Sequence, residues 1–123
     1  MATTVNVQGS DFEALVLKDG ITFVDFWASW CGPCRMFAPI FEAASEKYPD
    51  MTFAKVDTDA EQELAAAAQI TSIPTLMAFR DGILVFRQPG ALPAPNFEEL
   101  IQAVSKLDMD EVRKEIAKEE GKN

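Results

Sequence analysis

Between Ile21 and Ala28 the chain is apolar on both alternating faces except at Thr22 and Asp25, the pattern of a strand buried in the centre of a sheet. Around it, strand-like and helix-like runs alternate. Val5 and Val7 suit a short edge strand. Ser10-Asp11-Phe12-Glu13 has capping-box form and opens a helix with Phe12, Leu15 and Val16 on one face, stopped by Lys18-Asp19-Gly20. A second helix is predicted from about Pro33 to Tyr48, with Phe37, Ile40, Phe41 and Ala44 inward and a kink at Pro39. Met51 to Asp57 reads as a second buried strand, and Asp59, with Gln62 in the reciprocal position, caps a helix from Ala60 to about Gln69.

Thr75–Arg80 and Ile83–Gln88 flank Asp81-Gly82, a two-residue hairpin signal. The proline-rich loop from Pro89 to Pro95 leads to Asn96, read as the cap of a helix with Phe97, Leu100, Ile101, Val104 and Leu107 at helical spacing. The expected result is an α/β fold: a central mixed β-sheet flanked by helices on both faces, in one domain over residues 1–107. Residues 108–123 form a charged C-terminal helical extension that starts with an Asp cap and has only Met109, Val112 and Ile116 as apolar contacts. It reads as a solvated helix, with a partner-binding segment as the alternative.

Composition sets the surroundings. At 123 residues and 48% hydrophobic, the chain can bury a core without a stabilising disulfide. A formal charge of −9 argues against nucleic acid or an anionic membrane as partner, and no stretch has the length of a membrane span. With no basic, then apolar, leader at Met1 to Gly9, the expected compartment is the cytoplasm.

Both cysteines of the chain lie in Trp30-Cys31-Gly32-Pro33-Cys34, between the central strand and the second helix. A pair at i and i+3 in a first helical turn shares one face and can close a disulfide without refolding the domain. Pro33 suits that turn, and the free N–H groups there stabilise a thiolate at Cys31. Two cysteines and no histidine fall short of the four ligands zinc wants, so no metal is expected, though a site shared between two chains is the competing reading. Haem attachment fails because Arg35 follows Cys34. Asp25 is the carboxylate of the core strand, and burial would raise its pKa toward the range of general acid–base work. The alternatives are a solvated strand edge or a structural pair with Lys55.

From Val5 to Leu107 the sequence resembles the thioredoxin family. The resemblance lies in Trp30-Cys31-Gly32-Pro33-Cys34, Asp25 and Trp27 before it, Pro39, Lys55, Ile73-Pro74-Thr75 and Gly90-Ala91. It implies a thioredoxin-like fold and a protein-disulfide reductase with no bound cofactor, re-reduced by thioredoxin reductase, a flavoprotein drawing on NADPH. A monomer is expected. The resemblance makes Cys31 the nucleophile and Cys34 the resolving cysteine, more buried and of higher pKa, with Asp25 as proton acceptor and Lys55 its partner. It also makes Pro74 cis. Trp30, Gly32, Pro33, Ser72, Ile73, Pro74 and Thr75 would border a substrate groove, with Gly90 and Ala91 as its opposite lip. Pro89 stands where relatives commonly carry a small apolar residue, and it brings no N–H to that lip. An oxidase or isomerase on the same fold often has histidine between the cysteines, and Gly32-Pro33 favours reduction instead. An interaction module whose thiols matter little is the reading from another class.

Overall fold

The structure is a computed structural model and describes residues 3–121. Met1, Ala2, Lys122 and Asn123, the ends of the two expected segments, lie outside the described residues. Five strands form one sheet in the order β1-β3-β2-β4-β5: β1 (Val5–Asn6), β2 (Ile21–Trp27), β3 (Thr52–Asp57), β4 (Thr75–Arg80) and β5 (Ile83–Pro89). β2 is central, as its two-faced apolar pattern leads one to expect, and it runs parallel to β3 and antiparallel to β4. Asp81 and Gly82 both take positive φ, 53° and 81°, and turn β4 back into β5.

Strand alternation sends successive residues to opposite faces, and each face has its own helices. Phe23, Phe53, Leu76 and Ala78 pack beneath α2 (Gly32–Lys47) and α4 (Ala94–Ser105). Val24, Phe26, Ala54, Val56 and Met77 pack with Val16 of α1 (Gly9–Leu17), and Leu64 of α3 (Gln62–Ala67) joins them. On the α2 side five rings interlock: Phe23, Phe37, Phe41, Phe53 and Phe97, with centroids 5.3–6.3 Å apart in the contacting pairs. Edge-to-face pairs of this kind add to the area they bury, so α2 is held firmly on the sheet. The helix runs unbroken through Pro39.

The helix starts differ from those expected, one because of a distant side chain and two because of neighbours along the chain. α1 begins at Gly9, with no cap from Ser10; instead the Gly9 N–H donates to Glu61 Oε1 at 2.6 Å. α3 begins at Gln62 rather than Ala60. Asp57 Oδ1 accepts from the N–H groups of Asp59 and Ala60, so the segment closes into a turn first, while the Asp59 carboxylate is engaged by Trp30. α4 begins at Ala94, two residues before Asn96, because Pro95 fits a first helical turn.

Asp108 does cap α5 (Met109–Gly121), accepting from the N–H groups of Asp110 and Glu111. The tail is more than a solvated helix. Met109 is buried, Arg113 pairs with Asp81 at 3.6 Å, and Val112 and Ile116 line a groove with Ile83, Leu84 and Val85 of β5. Between α4 and α5 the chain is gathered by Arg80, whose Nη1 donates to the carbonyls of Val104, Ser105 and Leu107 at 2.8, 3.1 and 2.7 Å. A guanidinium at a helix C-terminus satisfies exposed carbonyls and opposes their partial negative charge. Replacing Arg80→Met should therefore lower the unfolding free energy by about 1–3 kcal/mol. Urea denaturation would show it as a lower midpoint at unchanged slope.

Candidate active site

β2 ends at Trp27, and after three intervening residues the chain enters α2 with Cys31 at its N-cap position. The sulfur of Cys31 takes the part a serine or aspartate oxygen plays elsewhere: the Cys34 N–H donates to Cys31 Sγ at 3.2 Å. No acidic residue sits in the first turn of α2, so nothing there opposes a negative charge on that sulfur. Cys31 and Cys34 are joined in a disulfide with Cα atoms 5.2 Å apart, within the normal span. The expected contrast in exposure is small: Cys31 is 5% exposed and Cys34 3%. In the closed pair both sulfurs are covered, by Ala28, Trp27 and Ile73 among others.

The Ile73–Pro74 peptide bond is cis, and the Ile73 carbonyl oxygen lies 3.6 Å from Cys31 Sγ. Thr75 Oγ1 donates to the Ser72 carbonyl at 2.6 Å, closing the loop before β4. Gly90, at φ 101°, donates its N–H to the Pro74 carbonyl at 2.7 Å. This bond draws the two lips together: Ser72, Ile73, Pro74 and Thr75 on one side, Gly90 and Ala91 on the other. Ser72, Gly90 and Ala91 are exposed, whereas Pro74 and Thr75 are buried. Gly32 and Pro33 form the first turn of α2 beside them. Trp30 is 67% exposed and its indole Nε1 donates to Asp59 Oδ2 at 3.0 Å.

Asp25, Trp27 and Lys55 occupy alternate positions on the sheet face that α2 covers, and Asp25 and Lys55 are register partners in β2 and β3. A small cavity of about 90 Å³ joins Asp25 to Cys34, with Trp27, Ala28, Ser29, Arg35, Ala38 and Lys55 completing its wall. Both carboxyl oxygens of Asp25 are buried without a hydrogen-bond partner among the described residues. Burial pushes its pKa from 3.8 up to about 7, and the Lys55 ammonium opposes this only in part. Lys55 is not locked to Asp25: its Nζ lies 4.0 Å from Glu42 Oε1 and 4.9 Å from the centroid of the Trp27 ring. The Asp25 carboxyl is thus neither at a solvated strand edge nor in a fixed structural pair. It faces the inner cysteine across a cavity, with a pKa at which it can exchange a proton near neutrality.

Three residues around the site were not marked as site residues by the sequence. Asp59 reads locally as a helix cap, and nothing in its neighbourhood signals a bond to an indole 29 residues away. Glu42 carries no local signal beyond its place on α2. Met36 had one: an apolar residue off the inward stripe of α2, it is 73% exposed close behind Cys34. Among the described residues no group of three or more His, Cys, Asp or Glu could hold a metal ion, and no helix is long and apolar enough to cross a membrane.

Comparison with known proteins agrees with this geometry. The thioredoxin family model matches residues 3–106. The chain is 48% identical over 120 residues to "Putative thioredoxin 2" of Streptomyces coelicolor, covering 98% of this chain and 90% of that one. It is 46% identical over 92 residues to the thioredoxin of Mycobacterium bovis, covering 73% and 79% respectively. Among solved structures, a mutant thioredoxin from Halobacterium salinarum superposes with a TM-score of 0.77 at 33% identity, covering 85% of this chain and 92% of that one. Plasmodium falciparum thioredoxin does so at 0.74 and 34%, covering 81% and 98%.

The raised pKa of Asp25 fixes the sign of a stability effect. Between about pH 4 and pH 7 the folded protein holds a proton that the unfolded chain has released, so stability falls as pH rises through this window. Asp25→Asn, which carries no charge at any pH, should stabilise the protein on the order of 4 kcal/mol at pH 8 relative to its effect near pH 4. Urea unfolding at the two pH values measures the difference; a pH-independent effect would show that Asp25 is not buried as described.

Proposed function

Because the chain belongs to the thioredoxin family and is a thiol–disulfide oxidoreductase acting on protein disulfides, we propose that Cys31 is the attacking sulfur, Cys34 the resolving one and Asp25 the group that takes the Cys34 proton. The observation that carries this reading is the Cys34 N–H on Cys31 Sγ at the helix N-cap. A hydrogen bond made to the charged form lowers a thiol's pKa, and Cys31 is the sulfur that receives it. In the reduced protein the Cys31 thiolate attacks one sulfur of a substrate disulfide. That S–S bond breaks, a mixed disulfide forms, and one substrate sulfur leaves as a thiolate. Cys34 then gives its proton to the Asp25 carboxylate across the cavity and attacks Cys31 Sγ. The second substrate sulfur departs, two electrons have passed to the substrate, and the Cys31–Cys34 disulfide remains.

The groove between the two lips supports an extended substrate segment. Trp30, Gly32 and Pro33 form one wall, and the main chain at Ser72, Ile73, Pro74 and Thr75 offers strand-like pairing. On the facing lip the Gly90 N–H is given to Pro74 and Pro89 has none, so pairing there falls to Ala91. Lys55 favours the charged form of Asp25 and offsets part of the effect of burial. Residues 1–107 serve as the redox domain and 108–123 as an accessory helix. The protein works as a monomer in the cytoplasm without a cofactor of its own, recharged by NADPH-dependent thioredoxin reductase. Support for that partner comes from the family match and from nothing in the chain's own geometry.

Cys31→Ser should abolish reduction of a test protein disulfide, whereas Cys34→Ser should accumulate the mixed disulfide, seen on a non-reducing gel. Full activity in both variants would sink the proposal. The resolving step should slow as pH falls through about 7, where Asp25 takes up its proton and can no longer accept one. In Asp25→Asn that limb should vanish and the rate at neutral pH fall at least about tenfold, measured by stopped-flow on the mixed disulfide. Starting from the reduced protein, omitting the reductase while supplying NADPH should stop turnover after one equivalent of substrate.

A further inference from the structure

Lys55 sits between two carboxyl groups of different character. On one side is Asp25, buried at the sheet face, and on the other Glu42 of α2, whose side chain is 43% exposed. Lys55 itself keeps only 13% of its side-chain surface and rests its ammonium over the Trp27 ring, so its position is set by these neighbours rather than by water. Other charged groups face it from the surrounding elements. Asp57 of β3 and Glu61, before α3, line the outer cleft that Lys55 shares with Trp27, Asn6 and Gln8. Arg35 of α2 lines the inner cavity with Asp25 and Cys34. Of the carboxylates around Lys55, the one within ion-pair distance is Glu42.

From this arrangement we infer that Glu42 is a positioning residue for the redox reaction: by holding the Lys55 ammonium at the α2 side, it limits how strongly Lys55 favours the charged form of Asp25. The inference rests on the reading of Asp25 as proton acceptor and deepens it. A cation shared between two carboxylates stabilises each less than it would stabilise one alone. With Glu42 present, Lys55 offsets only part of the effect of burial, and the Asp25 carboxyl stays near neutrality. Without it the ammonium turns its full field on Asp25, whose carboxylate form becomes easier to reach and a weaker base toward Cys34. The spacing has a structural reason. Glu42 follows Phe41 on the helix, and the aromatic cluster that fixes Phe41 against Phe53 also fixes where the next residue meets β3.

The test is a double-mutant cycle read on the Asp25 carboxyl itself, by following its carbon chemical shift against pH in the oxidised protein. Glu42→Gln should lower the apparent pKa of Asp25 by about 0.5, a threefold change in its ionisation constant. In a Lys55→Met background the same substitution should move it by less than half as much, because the group through which Glu42 acts is gone. No change, a rise, or an equal fall in both backgrounds would overturn the inference. The titration reports on Glu42 and Lys55 whether or not Asp25 accepts the proton. That separate question is decided by the pH profile of Asp25→Asn, so the two failures can be told apart.

Discussion

Everything at the redox centre depends on one hydrogen bond, from the backbone of Cys34 to the sulfur of Cys31 at the start of α2. The partial positive charge of a helix end falls off within its first turn, so it can stabilise a thiolate only if the helix is held in place relative to the strand that delivers the sulfur. The five-ring aromatic cluster supplies that hold. Phe37 and Phe41, one turn and two turns beyond Cys34, project from α2 against Phe53 and Phe97, which in turn hold Phe23. In a thioredoxin-family protein the apolar core and the chemistry are therefore not separate parts. Loss of a ring would loosen the helix end along with the core.

The buried carboxyl shows what the site costs the fold. Asp25 lies mid-strand in the central element, where an apolar residue would pack without penalty, and its two oxygens find no donor among the described residues. Active sites commonly hold groups that an optimally stable protein would exclude. Here the same burial that weakens the native state at neutral pH brings the proton affinity of Asp25 close to neutrality, as the role proposed for it requires. Lys55 offsets part of the penalty and, shared with Glu42 and Trp27, leaves part of it in place.

Around this centre the helices are finished by side chains far away in sequence. Glu61 closes the start of α1, Arg80 gathers the end of α4, and Arg87 donates to the carbonyls of Ala68 and Gln69, both at 2.6 Å, where α3 ends. Each ties a helix to the sheet or to a loop by satisfying backbone groups that a helix end leaves open. The C-terminal helix follows the same logic. Asp108 caps it locally, but Met109 and the Arg113–Asp81 pair bring it to β5 and the hairpin turn.

Local chemistry was enough to read much of this from sequence. The two-faced apolar run at Ile21–Ala28 reads as a central strand, Asp81-Gly82 as a tight turn, and two cysteines three apart around a helix-compatible proline, with the neighbouring motifs, as a redox pair. In each case the deciding interactions lie within a few residues. Tertiary structure alone decided that Glu61 closes the start of α1, that Trp30 bonds to Asp59, that Gly90 reaches the Pro74 carbonyl, and that Lys55 leans toward Glu42. Those partners are 13 to 52 residues apart along the chain, and a backbone group or charge takes whichever partner the packed core brings within about 3 or 4 Å. A sequence pattern states which side chains want burial; only the packing of the sheet under α2 states which of them meet.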